Sequence, residues 1–237
     1  MTQITFFTPS YRGDAQRFAL LRESINHFYN GQAKHIVAVP SPDKRLFTKL
    51  FQDDKNVEIL VQNDFVDPIF YPKQLYKYIE RIFPNQTWRF QKYAGRPGWI
   101  TQQIVKLNIP AIVNNGAVVV LDSDIFFIRP FSDIDFRLNK SLYTLYKAIP
   151  ESETAKHRGH MKWARDFLGL ESGSTEHHYI TCPAILYPEI IKELHKFIEK
   201  NTINRGNYLS LINQAFLSIS FMVFLPKKYT IQKALIL

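Results

Sequence analysis

Cysteine is nearly missing from this chain: among 237 residues Cys182 is alone. A single thiol closes no internal disulfide and supplies no metal cluster or redox pair by itself. The amino terminus lacks a basic head followed by an uninterrupted apolar run, so no secretory signal is read and a cytoplasmic location is expected. Internal repeats, low-complexity tracts and coiled-coil heptads are also missing. Acidic residues are outnumbered, with 21 Asp and Glu against 30 Lys and Arg, a formal charge of +9. A surface of that sign attracts anions, whether nucleic acid, acidic lipid headgroups or a phosphorylated substrate. The basic residues are scattered rather than gathered into a stripe with interleaved aromatics, and the standard nucleic-acid signatures are absent, so nucleic acid is not expected as a partner. A nucleoside diphosphate, or peripheral contact with an acidic membrane surface, fits the charge equally well.

What is present is ample apolar material, 46% of residues, enough for one sizeable core and too little chain for two ordinary domains. Residues 4–8 form a β-type run closed by Pro9-Ser10-Tyr11, and 14–28 carry helical spacing through Phe18, Leu21, Ile25 and Phe28. A second unit follows: a strand at 35–39 closed by Pro40, a helix at 43–51 through Leu46, Phe47 and Leu50, then a strand at 57–61. Strands alternating with helices predict an α/β fold with a mostly parallel sheet flanked by helices. Aromatics and Pro or Gly breaks crowd 63–97, where a helix is expected at 73–82 and a loop at 91–97. A helix at 98–108 presents Ile100, Ile104 and Leu107 as its apolar stripe. After the turn signal Asn114-Asn115-Gly116 comes the most apolar strand of the chain, 117–121. Beyond it the pattern predicts a strand at 142–146, a helix at 160–168, an extended segment at 179–186 and a helix over 188–200.

The strand at 117–121 ends in Asp122-Ser123-Asp124. In open α/β sheets ligands bind beyond the carboxyl ends of strands, so these carboxylates stand where ligands bind. Two oxygen ligands at i and i+2 can share a divalent cation that already carries diphosphate oxygens, and such an ion offsets charge on a departing nucleoside diphosphate. The plain alternative is a turn with two solvated aspartates. On the preceding helix Trp99, Gln102, Gln103 and Lys106 fall at spacings of three and four, a shared face expected to lie away from the apolar stripe. There Lys106 can pair with phosphate and the Gln amides can bond sugar hydroxyls; the alternative is an ordinary solvated helix face. His177 and His178 are candidate metal ligands. Neighbours in an extended segment point opposite ways, so one of the pair at most faces a site, and a surface or core histidine is the alternative. Pro9, Ser10, Tyr11 and Asp14 end the first strand, where a Rossmann-like sheet holds a nucleoside, unless Ser10 or Asp14 simply caps the following helix. The catalytic residue stays unknown, because no carboxylate can be placed on an acceptor face.

Taken in order, Thr8-Pro-Ser-Tyr-Arg-Gly-Asp14, Gly98-Trp-Ile-Thr-Gln-Gln-Ile-Val-Lys106, Val-Leu-Asp-Ser-Asp124 and Glu176-His-His178 resemble a bacterial family of uncharacterised proteins (DUF6492-like) allied to the GT-A glycosyltransferases. The resemblance covers residues 3–200. It implies a GT-A-like, Rossmann-like fold and a nucleoside diphosphate sugar donor held through Mn²⁺ or Mg²⁺. In it Asp122 meets ribose and metal, Ser123 lies beside the nucleotide sugar, Asp124 ligates the metal, and His177 or His178 is a further ligand. The implied acceptor is a glycan or lipid-linked chain such as capsule or lipopolysaccharide. The similar proteins continue with a Trp and a Ser-Glu-Tyr-x-x-Tyr-Gly segment, and neither stands in residues 201–237. Residues 1–200 are therefore taken as the domain and 201–237 as an atypical tail, whose apolar run 215–225 is too short to span a bilayer. Back-translated with permitted codons and read two bases later, 216–228 yields SEYFFYGVFAKK, which contains the missing motif, and Met222-Val223 forces a glycine in that frame. A base lost near Glu199-Lys200-Asn201 is the expected cause, and an open shifted frame in the gene is its signature.

Two rival classes share parts of the pattern. Phosphatases of the haloacid dehalogenase type carry two aspartates one residue apart after a buried strand, but on the first strand and with a later acidic pair that is not evident here. The other rival is an inactive member that binds a nucleotide or glycan without transferring it.

Overall fold

The computed structural model describes residues 4–65, 97–136, 147–148, 166, 177–178 and 182–203. The first half follows the sequence expectation to within one residue at each boundary: β1 (Ile4–Pro9), α1 (Ala15–Phe28), β2 (Lys34–Val39), α2 (Lys44–Leu50) and β3 (Val57–Val61). Next come α3 (Pro97–Leu107) and β4 (Ala117–Val120), then the two-residue strands β5 (Lys147–Ala148) and β6 (His177–His178), and finally β7 (Ala184–Leu186) and α4 (Pro188–Ile203). Pro97, expected to close a loop, instead opens α3, where the first helical position needs no N–H and the ring presets φ. The extended segment expected at 179–186 contributes β7 at its end. The expected helices at 73–82 and 160–168, the strand at 142–146, the loop at 91–96 and the tail from 204 lie outside the described residues, apart from helical Asp166.

Five strands make one sheet in the order β3-β2-β1-β4-β7, and β5 pairs with β6 in a second. The pairings β1–β2, β2–β3 and β1–β4 are parallel, whereas β7 lies antiparallel on β4. Burial follows this order. The inner strands β1, β2 and β4 are buried almost throughout, while the edge strand β3 is only partly covered. That is why the inner strands are continuous apolar runs rather than alternating ones.

Alternate residues feed two cores. On one face Phe6, Val37, Val39, Val119 and Leu121 pack with Phe18 and Leu21 of α1 and Phe47 of α2. On the other, Phe7, Ile36, Ala38, Val118 and Val120 pack with Ile104 and Val105 of α3 and Ile191 and Leu194 of α4. Each fully buried side chain of this size contributes about 1.5–3 kcal/mol relative to exposure. A one-residue slip of any inner strand would exchange the two faces, so the register is strongly fixed. Gly116, at φ 90°, turns the chain into β4 in a conformation that side-chain-bearing residues rarely adopt. At the amino-terminal end of the sheet Arg22 of α1, only 4% exposed, donates from Nε and Nη2 to the Asp54 carboxylate at 2.6 and 3.1 Å. Burial alone would raise the Asp54 pKa, but hydrogen bonds from Arg22, Asn26 and the Asn56 amide bring it below the ordinary value. Among the described residues no helix is long and apolar enough to cross a membrane.

Candidate metal and nucleotide site

The chain steps from β1 outward through β2 to β3, then returns to the opposite side of β1 to lay down β4. The reversal falls between β1 and β4, and in open α/β sheets the crevice beyond the carboxyl ends at such a point is where ligands bind. Pro9, Ser10 and Tyr11 leave β1 there, and Asp122, Ser123 and Asp124 leave β4. The two exits are fixed to one another, because the Leu121 amide donates to the Phe7 carbonyl at 2.9 Å and extends the ladder one residue past β4.

The pair itself forms a turn in which the Ile125 amide reaches the Asp122 carbonyl at 3.4 Å. Ser123 is buried at 5% exposure. Asp122 has a half-exposed carboxylate and Asp124 is exposed. Lys106 Nζ lies 3.3 Å from Asp122 Oδ1, and its own side chain is only 12% exposed. The alternative of an ordinary solvated helix face is not realised at Gln103 and Lys106. Gln103 is buried at 4% exposure, Gln102 is partly buried, and Lys106 is drawn under the sheet's carboxyl edge to the acidic pair. Trp99 stands on the first turn of the same helix.

At the end of β1, Ser10 is 3% exposed and its Oγ has no hydrogen-bond partner, although its amide donates to Ala38 O at 2.9 Å. Asp14 occupies the cap position of α1 without making a side-chain cap bond, and pairs instead with Arg17 at 3.1 Å. The capping alternative for both residues is thus not realised. The loop is held by Arg12, whose backbone amide and Nε donate to the two carboxylate oxygens of buried Asp43 at 2.9 and 2.7 Å. Tyr11 is 48% exposed, and its ring lies so close over Gly13 that a Cβ there would come within 2.5 Å of Cε2. An aromatic face open to solvent beside the strand-order reversal suits a nucleobase.

His177 and His178 form β6, in register with Ala148 and Lys147 of β5. They belong to the second, two-stranded sheet rather than to the five-stranded one. Cys182, which sequence reasoning set aside, does reach the site. The antiparallel register of β7 on β4 carries it opposite Asp122, whose amide donates to its Sγ at 3.4 Å. Cys182 is exposed as a residue, but partial burial of its thiol, and then the adjacent Asp122 carboxylate, push its pKa up, so it stands as a neutral thiol rather than a thiolate. Among the described residues no three His, Cys, Asp or Glu side chains gather into a ready metal cluster. The ligand atoms on offer at Asp122 and Asp124 are carboxylate oxygens, which suit hard cations such as Mg²⁺ or Mn²⁺. A cation held there would take its remaining ligands from phosphate oxygens and water. An open concavity of about 660 Å³ lies elsewhere, lined by Arg22, Asn26, Phe51, Asp54 and Asn56 at the amino-terminal end of β3.

A family of unknown function, DUF6492, matches residues 4–221 of the chain. The chain belongs to DUF6492. No curated protein matches in sequence. Among solved structures, this DUF6492 member is similar to the apo structure of the bifunctional glycosyltransferase WbbM, at 12% identity and a TM-score of 0.48. The match covers 93% of this chain and 37% of WbbM, so the DUF6492 chain spans little more than a third of that protein's length.

Proposed function

We propose that this protein is a metal-dependent glycosyltransferase that takes a sugar from a nucleoside diphosphate donor. The observation that carries the proposal is the placement of Asp122 and Asp124 at the carboxyl end of a fully buried inner strand, at the reversal of strand order, with Lys106 against Asp122. In this proposal Asp124 and Asp122 hold Mn²⁺ or Mg²⁺, which neutralises the departing diphosphate. Ser123, Gln102, Gln103, Trp99 and Lys106 take the phosphate and sugar side. Pro9, Ser10, Tyr11 and Asp14 take the nucleoside, and His177 or His178 is a further ligand. The acceptor is a glycan or lipid-linked chain of a surface polysaccharide, met in the cytoplasm or at the inner face of an acidic membrane. The two aspartates stand on the fourth strand of the described order rather than on the first, which favours this proposal over a phosphatase of the haloacid dehalogenase type.

The test is a thermal-shift and calorimetric screen of UDP, GDP and their sugar conjugates with and without Mn²⁺, since a ligand of the native state raises the melting temperature. The wild type should respond to a nucleoside diphosphate only with the metal, and Asp124→Ala should lose that response. Unchanged nucleotide affinity in Asp124→Ala would overturn the assignment. Hydrolysis of simple phosphate esters would point to the phosphatase, and nucleotide binding without sugar transfer to an inactive binding member.

A further inference from the structure

We infer that Gln103 selects the donor sugar, its Oε1 accepting a hydrogen bond from a sugar hydroxyl. The inference rests on the nucleoside-diphosphate-sugar proposal above. Gln103 is 4% exposed, and its Oε1 is buried without a hydrogen-bond partner. A buried carbonyl left unpaired lowers stability, whereas an apolar side chain of the same length would carry no such penalty. A polar group kept at that cost calls for a partner that arrives from outside. Its place says where the partner stands. Gln103 and Lys106 are separated by three residues on α3, a spacing that brings Cβ atoms to about 5–6 Å. Helical side chains lean toward the amino terminus, so the Lys106 chain lies back over the turn that carries Gln103. Its ammonium reaches Asp122 Oδ1 at 3.3 Å, so the orphaned amide stands on the helical turn next to the residue that meets the acidic pair.

The chemistry of the amide oxygen narrows the partner further. It accepts protons and donates none, so it repels phosphate and carboxylate oxygens. The Lys106 charge, one turn along the helix, disfavours a second cation on this stretch of α3. What remains beside a metal-bound diphosphate is a neutral donor, which in a sugar nucleotide is a hydroxyl of the sugar. A site built to bond a hydroxyl rejects analogues that lack it, because its buried acceptor is then left unpaired.

The experiment compares the full wild-type chain with Gln103→Met, which keeps length but removes the amide, and with Gln103→Asn, which keeps the amide but draws it back by one methylene. Melting temperature is read without ligand. Affinities are read by calorimetry with Mn²⁺ for UDP, UDP-glucose, UDP-galactose, GDP and GDP-mannose. Gln103→Met is expected to melt higher by about 2–4 °C as the orphan is removed. It should retain affinity for the free diphosphate and lose about tenfold for the preferred sugar nucleotide. Gln103→Asn should show the same selective loss, which keeps the inference testable if the Met variant folds poorly. An unchanged ratio of sugar-nucleotide to free-diphosphate affinity in both variants would overturn it, as would an equal loss for both ligands, which would make Gln103 a ligand of metal or diphosphate. Failure of any nucleoside diphosphate to bind the wild type with Mn²⁺ would instead overturn the proposal on which the inference rests, and the inference with it.

Discussion

His35 provides a quantitative test of how the sheet is held. It stands at the start of β2, fully buried, with Nε2 2.9 Å from Thr8 Oγ1 of β1 and with the rings of Phe6 and Phe18 at its edges. Burial first, and then the nearby Arg22 charge against a smaller opposing effect of Asp54, lower its pKa from 6.5 to about 3. The folded value lies below the unfolded one, so the unfolded chain takes up a proton that the native chain refuses. The stability His35 allows is therefore complete above pH 6.5 and is lost progressively as pH falls from 6.5 toward 3. At about 1.4 kcal/mol per unit, the native state should lose about 2 kcal/mol between pH 7 and pH 5 on this account alone. His35→Gln keeps an amide within reach of Thr8 and does not ionise. Urea unfolding of both proteins at pH 7, 6 and 5 should show the wild type losing about 2 kcal/mol more than the variant over that range. His195, whose pKa is also lowered chiefly by burial, titrates alike in both chains and cancels in the comparison. Parallel pH profiles for the two proteins would refute the account.

Two further perturbations follow from ion pairs. Asp54→Asn leaves Arg22 a buried cation without a counter-charge, and should cost about 3 kcal/mol or more, seen as a fall in the urea midpoint; a midpoint equal to the wild type would show that the pair does not hold α1 to the β3 turn. The lowered Asp54 pKa adds a loss of stability in acid as pH falls through that lowered value, absent from the variant. Lys106→Met frees Asp122 of its ammonium and should move two affinities in opposite directions. Calorimetry with MnCl₂ alone should show tighter binding, and with MnCl₂ plus UDP about tenfold weaker nucleotide binding; movement of both in the same direction would refute the role given to Lys106.

The sheet was legible where its causes are local. β1, β2 and β3 are apolar runs bounded by Pro or turn residues, and α1 and α2 show their period through Phe18, Leu21, Ile25 and Phe47, so each boundary falls within one residue of the pattern. The position of the acidic pair was legible for the same reason, since Asp122 follows Leu121, the residue that extends the buried strand Ala117–Val120. Pairwise facts were not. Ile100, Ile104 and Leu107 were read as the apolar stripe of α3, and Gln103 and Lys106 as part of a separate polar face, either for a ligand or solvated. Yet Val105 is fully buried, and cover reaches round to Gln103. Periodicity measures one apolar face and does not register a second neighbour that covers polar atoms. Cys182 escaped notice because its place depends on the direction and register of β7, a three-residue strand whose sequence carries no signal of either.

In the proposed function, Lys106 at the acidic pair would also set the order in which ligands enter. Asp122, Asp124 and Lys106 together bear one net negative charge, which repels a diphosphate approaching alone. A divalent cation on the two carboxylates turns that balance to one net positive charge, and the same diphosphate is then attracted. Lys106, no longer the only cation at Asp122, would then be free to meet the phosphate oxygens that arrive with the ion. The ammonium would thus weaken the empty site for metal and strengthen the filled site for nucleotide. On the proposed function, a lysine buried beside a half-exposed aspartate at the reversal of strand order would make nucleotide binding depend on the cation rather than merely improve with it.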